Sequence, residues 1–229
     1  MPELSPAAWS AIALSFKVAA VATLWGVPVA TALALLLARG RFPGKALLDG
    51  LIHLPLVLPP VVTGYALLLL LGRKGAIGAF LDQQFGIVFA FRWTGAVVAA
   101  VVMALPIIVR AIRLSIEAVD VRLEQASGTL GAGRIATFFL VTLPLSLPGI
   151  LAGATLGFAK ALGEFGATIT FVSNIPGETR TIASAIYTAS QTPDGDAEAL
   201  ALSAVAAVLG LIALVASELL ARRARGALS

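Results

Sequence analysis

Cysteine is absent from the 229 residues and histidine occurs once. Disulfides, cysteine metal centres and thiol chemistry are therefore excluded, and imidazole catalysis has a single candidate, His53. Charge is also scarce: Asp, Glu, Lys and Arg make up 12% of the chain, against about 25% in ordinary soluble domains. With 59% hydrophobic residues and so few charges to break up the apolar stretches, the chain is read as an integral membrane protein. No Gly-x-x-x-x-Gly-Lys-Ser/Thr phosphate loop is present, nor a cluster of carboxylates around a nucleophile, so neither nucleotide hydrolysis nor an intramembrane enzyme is expected. No basic segment precedes the first apolar run, and Ala30-Thr31-Ala32 lies inside an unbroken apolar stretch, so no cleaved signal peptide is expected.

What is present is a series of apolar runs. A hydrocarbon core about 30 Å thick needs about 20 helical residues. Runs of that size occur at 18–38, 51–71, 94–112, 138–159 and 199–220, which predicts an all-α membrane domain over 1–229 with five spans. Two apolar pieces, 165–172 and 181–189, are too short to cross; Pro176-Gly177 separates them, and they read as re-entrant or interfacial.

The net charge of +4 would suggest nucleic acid in a soluble chain, but here the cations lie between apolar runs, so no nucleic-acid partner is expected. Arg39, Arg41, Lys45, Arg110, Arg113, Arg122, Arg134, Arg222, Arg223 and Arg225 fall on one side of the five spans. Arg73, Lys74, Arg92, Lys160 and Arg180 fall on the other, together with Asp82, Glu178, Asp194, Asp196 and Glu198. The positive-inside rule makes the first side cytoplasmic, the N-terminus external and the C-terminus internal. Lys17 is expected to reach the outer interface along its stem.

Prolines at 28, 55, 59, 60, 106, 144 and 148 each remove a helix donor that lipid cannot replace. The densest group is His53-Leu-Pro-Leu-Val-Leu-Pro-Pro-Val-Val-Thr-Gly64, which reads either as a structural kink or as a broken helix lining a path. His53 is expected to bond to a neighbouring helix. Glu164 is expected to be neutralised by Lys160, one turn earlier on the same face, rather than to touch an anion that it would repel. Between spans three and four, the loop 115–137 predicts a short helix on the cytoplasmic face, with Asp120 as N-cap and Leu130-Gly131 as the stop. Its stripe Val119, Leu123, Ala126 and Leu130 must pack either on the protein's own span ends or in a partner's groove.

The same loop carries a motif. Gln125-Ala126-Ser127, three residues, Gly131, nine residues, Val141, Thr142 and Leu143-Pro144 resemble the signature of bacterial ABC importer permeases, which runs Glu-Ala-Ala, three residues, Gly, nine residues, Ile, one residue, Leu-Pro. Gln125, Ser127 and Val141 depart from it, and Glu124 next door offers the acid missing at 125. Phe42-Pro-Gly-Lys45, His53 to Pro60, Asp120-Val-Arg-Leu-Glu124, Gly163-Glu-Phe-Gly-Ala167 and Asn174-Ile-Pro-Gly-Glu-Thr-Arg180 resemble the molybdate transporter permeases along nearly the whole chain.

That resemblance implies the type I (MetI-like) importer permease fold, a sixth span in some relatives, and molybdate or tungstate as cargo. It implies a second copy of the chain, two cytoplasmic ATP-binding subunits and a periplasmic molybdate-binding protein as partners, and no cofactor. It also implies that the helix from Glu124 to Gly131 is the coupling helix docking into the ATPase, with Leu130, Leu143 and Pro144 part of that element. Sulfate permeases carry another tetrahedral dianion and remain an alternative. A secondary carrier is disfavoured, since neither internal repeats nor ion-coupling charges are evident. A path for a dianion that must also be released should offer weak donors rather than a fixed cation. Thr63, Gly64, Thr155, Gly157, Phe165, Gly166 and Thr168 are the candidates, with the Glu164 to Thr168 region as gate.

Overall fold

In a computed structural model, residues 5–226 are described, and among them the chain is helical throughout. The side chains of Arg222, Arg223 and Arg225, three of the cations used above for orientation, lie outside the described part.

Four helices are long and apolar enough to cross a bilayer. Helix α1 (Pro6–Arg39) is 34 residues long and starts well before the expected span, because Ser5 accepts a hydrogen bond from the Ala8 amide and Pro6 occupies the first turn. Helix α5 (Trp93–Ala118) is the central one: 61% of its apolar window is buried, against 28% for α1 and 11% for the other two. It packs between α1 and α8 (Leu143–Leu162). The last is α11 (Asp196–Gly226), which lies against α8.

Small residues set the spacing of this bundle. The face of α1 toward α5 carries Ala19, Ala22, Gly26, Ala30 and Ala34, all buried, while Ala8 and Ala11 pack with Ala185 and with Leu202 of α11. Gly149, Gly153 and Gly157 of α8 recur every four residues against α5, where a Cβ at Gly149 would lie 2.1 Å from Ser115 Cβ. Between transmembrane helices, whose lipid alternative is as apolar as Leu, such close approach supplies much of the association energy.

The run at 51–71 is not one straight helix. It divides into α2 (Lys45–Val57) and α3 (Pro60–Leu71), whose axes turn by 117°. The cause is Pro59-Pro60: a residue preceding proline is driven out of the helical region, and Leu58 (φ −73°, ψ 143°) and Pro59 (φ −54°, ψ 134°) are both extended. The second expected span is therefore a broken pair. Short helices α4 (Ala76–Phe85), α6 (Val121–Thr129), α7 (Arg134–Thr137), α9 (Gly166–Val172) and α10 (Ile182–Ser190) complete the chain. Between α7 and α8, Phe138–Thr142 forms a π-helical turn, in which the Leu143 amide donates to the Phe138 carbonyl, one residue beyond the α register.

Candidate functional site

The motif-bearing loop folds as the short helix α6 at one end of the bundle. Asp120 caps it, accepting from the Arg122 amide at 2.9 Å, and Gly131 ends it in the left-handed region at φ +89°. The apolar stripe divides: Val119 is buried (5% exposed), whereas Leu123 (48%) and Leu130 (88%) stand open. Leu123, Ala126, Leu130, Leu140, Val141 and Pro144 line an open hollow of about 630 Å³ beside the π turn. Ser127 lines the same hollow, its hydroxyl 3.2 Å from that of Thr137. Gln125 is exposed, and Leu143 and Pro144 are half-buried at the start of α8.

Glu124 does not project outward to replace the acid missing at 125. Its carboxylate is held by Arg39 at 3.1 Å and by the Thr142 hydroxyl at 2.9 Å. In the sequence Arg39 signals only topology. Its contact spans 85 residues of sequence, so no local pattern announces it.

His53 also departs from expectation. Its Nδ1 lies 2.9 Å from the Asp49 carbonyl oxygen on its own helix, rather than bonding to a neighbouring one. Asp49 in turn receives the Arg113 guanidinium at 3.0 Å, and Arg113 also holds Glu117 at 2.8 Å. This network ties α2 to the same end of α5 that Arg39 grips. At the opposite end, the exposed Lys17 places its ammonium 3.6 Å from the centroid of the Trp93 ring, a cation–π contact.

The gate candidates converge on the contact of α3 with α9. A Cβ at Gly64 would lie 2.4 Å from the Ala167 carbonyl oxygen, and one at Gly166 would lie 2.7 Å from Pro60 Cβ, so both glycines permit backbone contact. Glu164 is buried (3% exposed); it takes the Lys160 ammonium at 2.7 Å and accepts from the Ala167 amide at 3.0 Å. The carboxylate thereby caps α9 and is neutralised in one arrangement. Phe165 stacks at a tilt on Tyr187, with centroids 5.3 Å apart. Thr63 and Thr168 are buried, and the Thr63 hydroxyl has no hydrogen-bond partner among the described residues. Thr155 and Gly157 lie elsewhere: the Thr155 hydroxyl bonds back to the Leu151 carbonyl, and Gly157 faces Ile108 in the α5–α8 seam.

The turn beyond α9 is tightly fastened. The buried Thr179 hydroxyl accepts from the Ile175 amide and donates to the Ser173 carbonyl, while Glu178 accepts from the Trp93 amide at 3.4 Å. The apolar pieces read as re-entrant are thus two short helices, α9 and α10, clamped to the start of α5 and, through the bond from the Ile182 amide to Ser15, to α1.

Residues 26–226 match the family model described as binding-protein-dependent transport system inner membrane component. The chain is 60% identical over 217 residues to a molybdenum transport system permease protein of Escherichia coli, covering 95% of each chain. A protein of the same description from Haemophilus influenzae is 57% identical over 214 residues, covering 93% of each. Among solved structures, a bacterial ABC transporter involved in the import of alginate superposes with a TM-score of 0.77 at 17% identity, over 96% of this chain and 80% of that one. This likeness concerns the fold. The chain accordingly belongs to the binding-protein-dependent transport system inner membrane component family, alongside the molybdenum transport permeases to which it is similar.

Proposed function

We propose that this chain is the membrane subunit of an ATP-driven importer that receives molybdate from a periplasmic binding protein and passes it to the cytoplasm. The observation that carries this reading is α6, a capped helix at the bundle end on which Leu130 stands open and Leu123 half-open among the described residues. In a chain with no phosphate loop, such a face is suited to receive work from a separate ATPase. Residues Glu124 to Gly131, with Leu143 and Pro144, form the coupling element, and the outer faces of α2 and α3, with Leu51, Val61, Tyr65 and Leu69 exposed, offer area for a second copy.

In this reading each of two copies carries one ATPase subunit, with the N-terminus periplasmic and the C-terminus cytoplasmic. Closure of the ATPase pair on ATP moves both α6 helices, closes the inner mouth and opens the α3–α9 contact outward; loss of ADP and phosphate reverses this. Neutralisation of Glu164 by Lys160 leaves the gate without a strong fixed charge, so the ion is neither repelled nor retained.

The test is uptake into vesicles holding the permease and its ATPase, with the binding protein outside and ATP inside. Molybdate should accumulate only with ATP, and sulfate at equal concentration should not. Accumulation driven by an ion gradient without ATP would remove the reading. The path is expected to be weak by itself: the purified permease dimer should show no saturable molybdate binding at micromolar concentration in equilibrium dialysis, and stoichiometric binding there would move selectivity into the membrane.

A further inference from the structure

Arg39 ends α1, and its guanidinium reaches two other elements, α5 and α6. One terminal nitrogen, Nη2, donates to the carbonyls of Ile116 at 3.0 Å and Val119 at 2.9 Å, the last turn of α5. The same nitrogen and Nε hold Glu124 Oε1 of α6 at 3.1 and 3.2 Å. That oxygen also accepts the hydroxyl of Thr142, the last residue of the π turn. Thr142 is 3% exposed, and the Arg39 and Glu124 side chains are 24% and 18% exposed.

The arrangement has a simple electrostatic basis. A helix C-terminus leaves carbonyls unbonded and partially negative, which suits a guanidinium, while Glu124 lies in the first turn of α6, where the helix dipole favours an acid. Charge-assisted bonds of this kind are shorter and about twice as strong as neutral ones. Their common meeting point makes them cooperative, because removing one member leaves the others unpaired in a shielded site. A second tie, Ser127 to Thr137, fastens the far part of α6 to α7.

We propose that Arg39, Glu124 and Thr142 are positioning residues that make α6 move as one body with the ends of α1 and α5 and with the start of α8, to which the Ser115 hydroxyl at the end of α5 also bonds through the Ser146 carbonyl. The proposal rests on reading α6 as the ATPase-docking helix, and adds how its displacement enters the spans. It also reassigns Glu124: a carboxylate committed to Arg39 and Thr142 is not available to the partner, so docking falls to Leu123, Leu130 and the exposed amide of Gln125.

The experiment measures ATP hydrolysed per molybdate imported in vesicles carrying the assembled transporter. Each permease variant also carries Arg122→Cys, an exposed position of α6 outside those docking residues, as a cross-linking reporter of ATPase docking, in a chain that has no cysteine of its own. Arg39→Met, which keeps the apolar stem, and Thr142→Val, which keeps the volume, should still cross-link but raise that ratio on the order of tenfold. Thr142→Ser, which retains the hydroxyl, should stay near the parent. Exchanging the charges, Arg39→Glu with Glu124→Arg, should not restore coupling, because the new carboxylate would face the Ile116 and Val119 carbonyls. A normal cross-link with an unchanged ratio in Arg39→Met, or an equal loss in Thr142→Ser and Thr142→Val, would overturn the node. Absence of the cross-link in the parent would instead overturn the docking reading, and the node with it.

Discussion

Glu164 combines two tasks in one carboxylate, capping α9 and pairing with Lys160, and the two can be separated by substitution. Glu164→Gln keeps an oxygen for the Ala167 amide and loses only the ion pair, whose lysine is 31% exposed and can turn to water. Glu164→Ala also leaves the amide unbonded, at about 1–3 kcal/mol. Thermal unfolding of the purified permease should therefore rank parent, Gln, then Ala; equal losses for the two variants would show that the cap contributes nothing. Gly131 makes a purely conformational test, since no atom lies within 4 Å of a Cβ placed there while φ is +89°. Gly131→Val should suffer strain of about 1–2 kcal/mol at the turn after α6, and Gly131→Asn much less. Uptake should fall for Val and not for Asn at equal assembly with the ATPase; equal uptake by both would dissociate the turn's geometry from transport. Both positions were legible in the sequence because their partners lie within four residues.

Among the helices, the contrast is between contacts made by backbone and contacts made by movable side chains. A methyl at Gly64 meets the Ala167 carbonyl at 2.4 Å, and a methyl at Gly157 meets Ile108 Cδ1 at 2.5 Å. The distances are alike, but a carbonyl can retreat only with its helix, whereas an isoleucine tip can change rotamer. Gly64→Ala should thus force α3 and α9 apart and reduce uptake severely, while Gly157→Ala should lower the unfolding temperature modestly and leave uptake largely intact. The two variants, assayed for uptake and melting in parallel, separate the gate candidate from the packing seam; a reversed order would place the moving contact between α5 and α8. Proline spacing announced a break near residue 59, because proline acts on its immediate neighbour. The angle of 117° and the seating of α9 on α3 were not readable, since they depend on which small residues of distant helices coincide.

Across the whole molecule, Arg39 and Arg113 lie at one end, in ion pairs with Glu124 and Asp49, and Lys17 and Glu178 gather around Trp93 at the other. This polarity supports a testable orientation: in intact spheroplasts, a membrane-impermeant thiol reagent should label Gln84→Cys and Gln191→Cys, and Arg41→Cys only after the membrane is opened. Labelling of Arg41→Cys from outside would invert the topology. The sequence alone determined that the chain is an all-α membrane protein and that a capped helix lies between its later apolar runs, since hydropathy and caps act over one helix or less, whereas the extent of α1 and the division of the second run into a bent pair came from the structure. Only the tertiary structure decided what the few charges do. Arg39 and Glu124 are far apart in the chain, and an apolar bundle with little water leaves each charge to find whatever opposite charge or helix end the packing brings near.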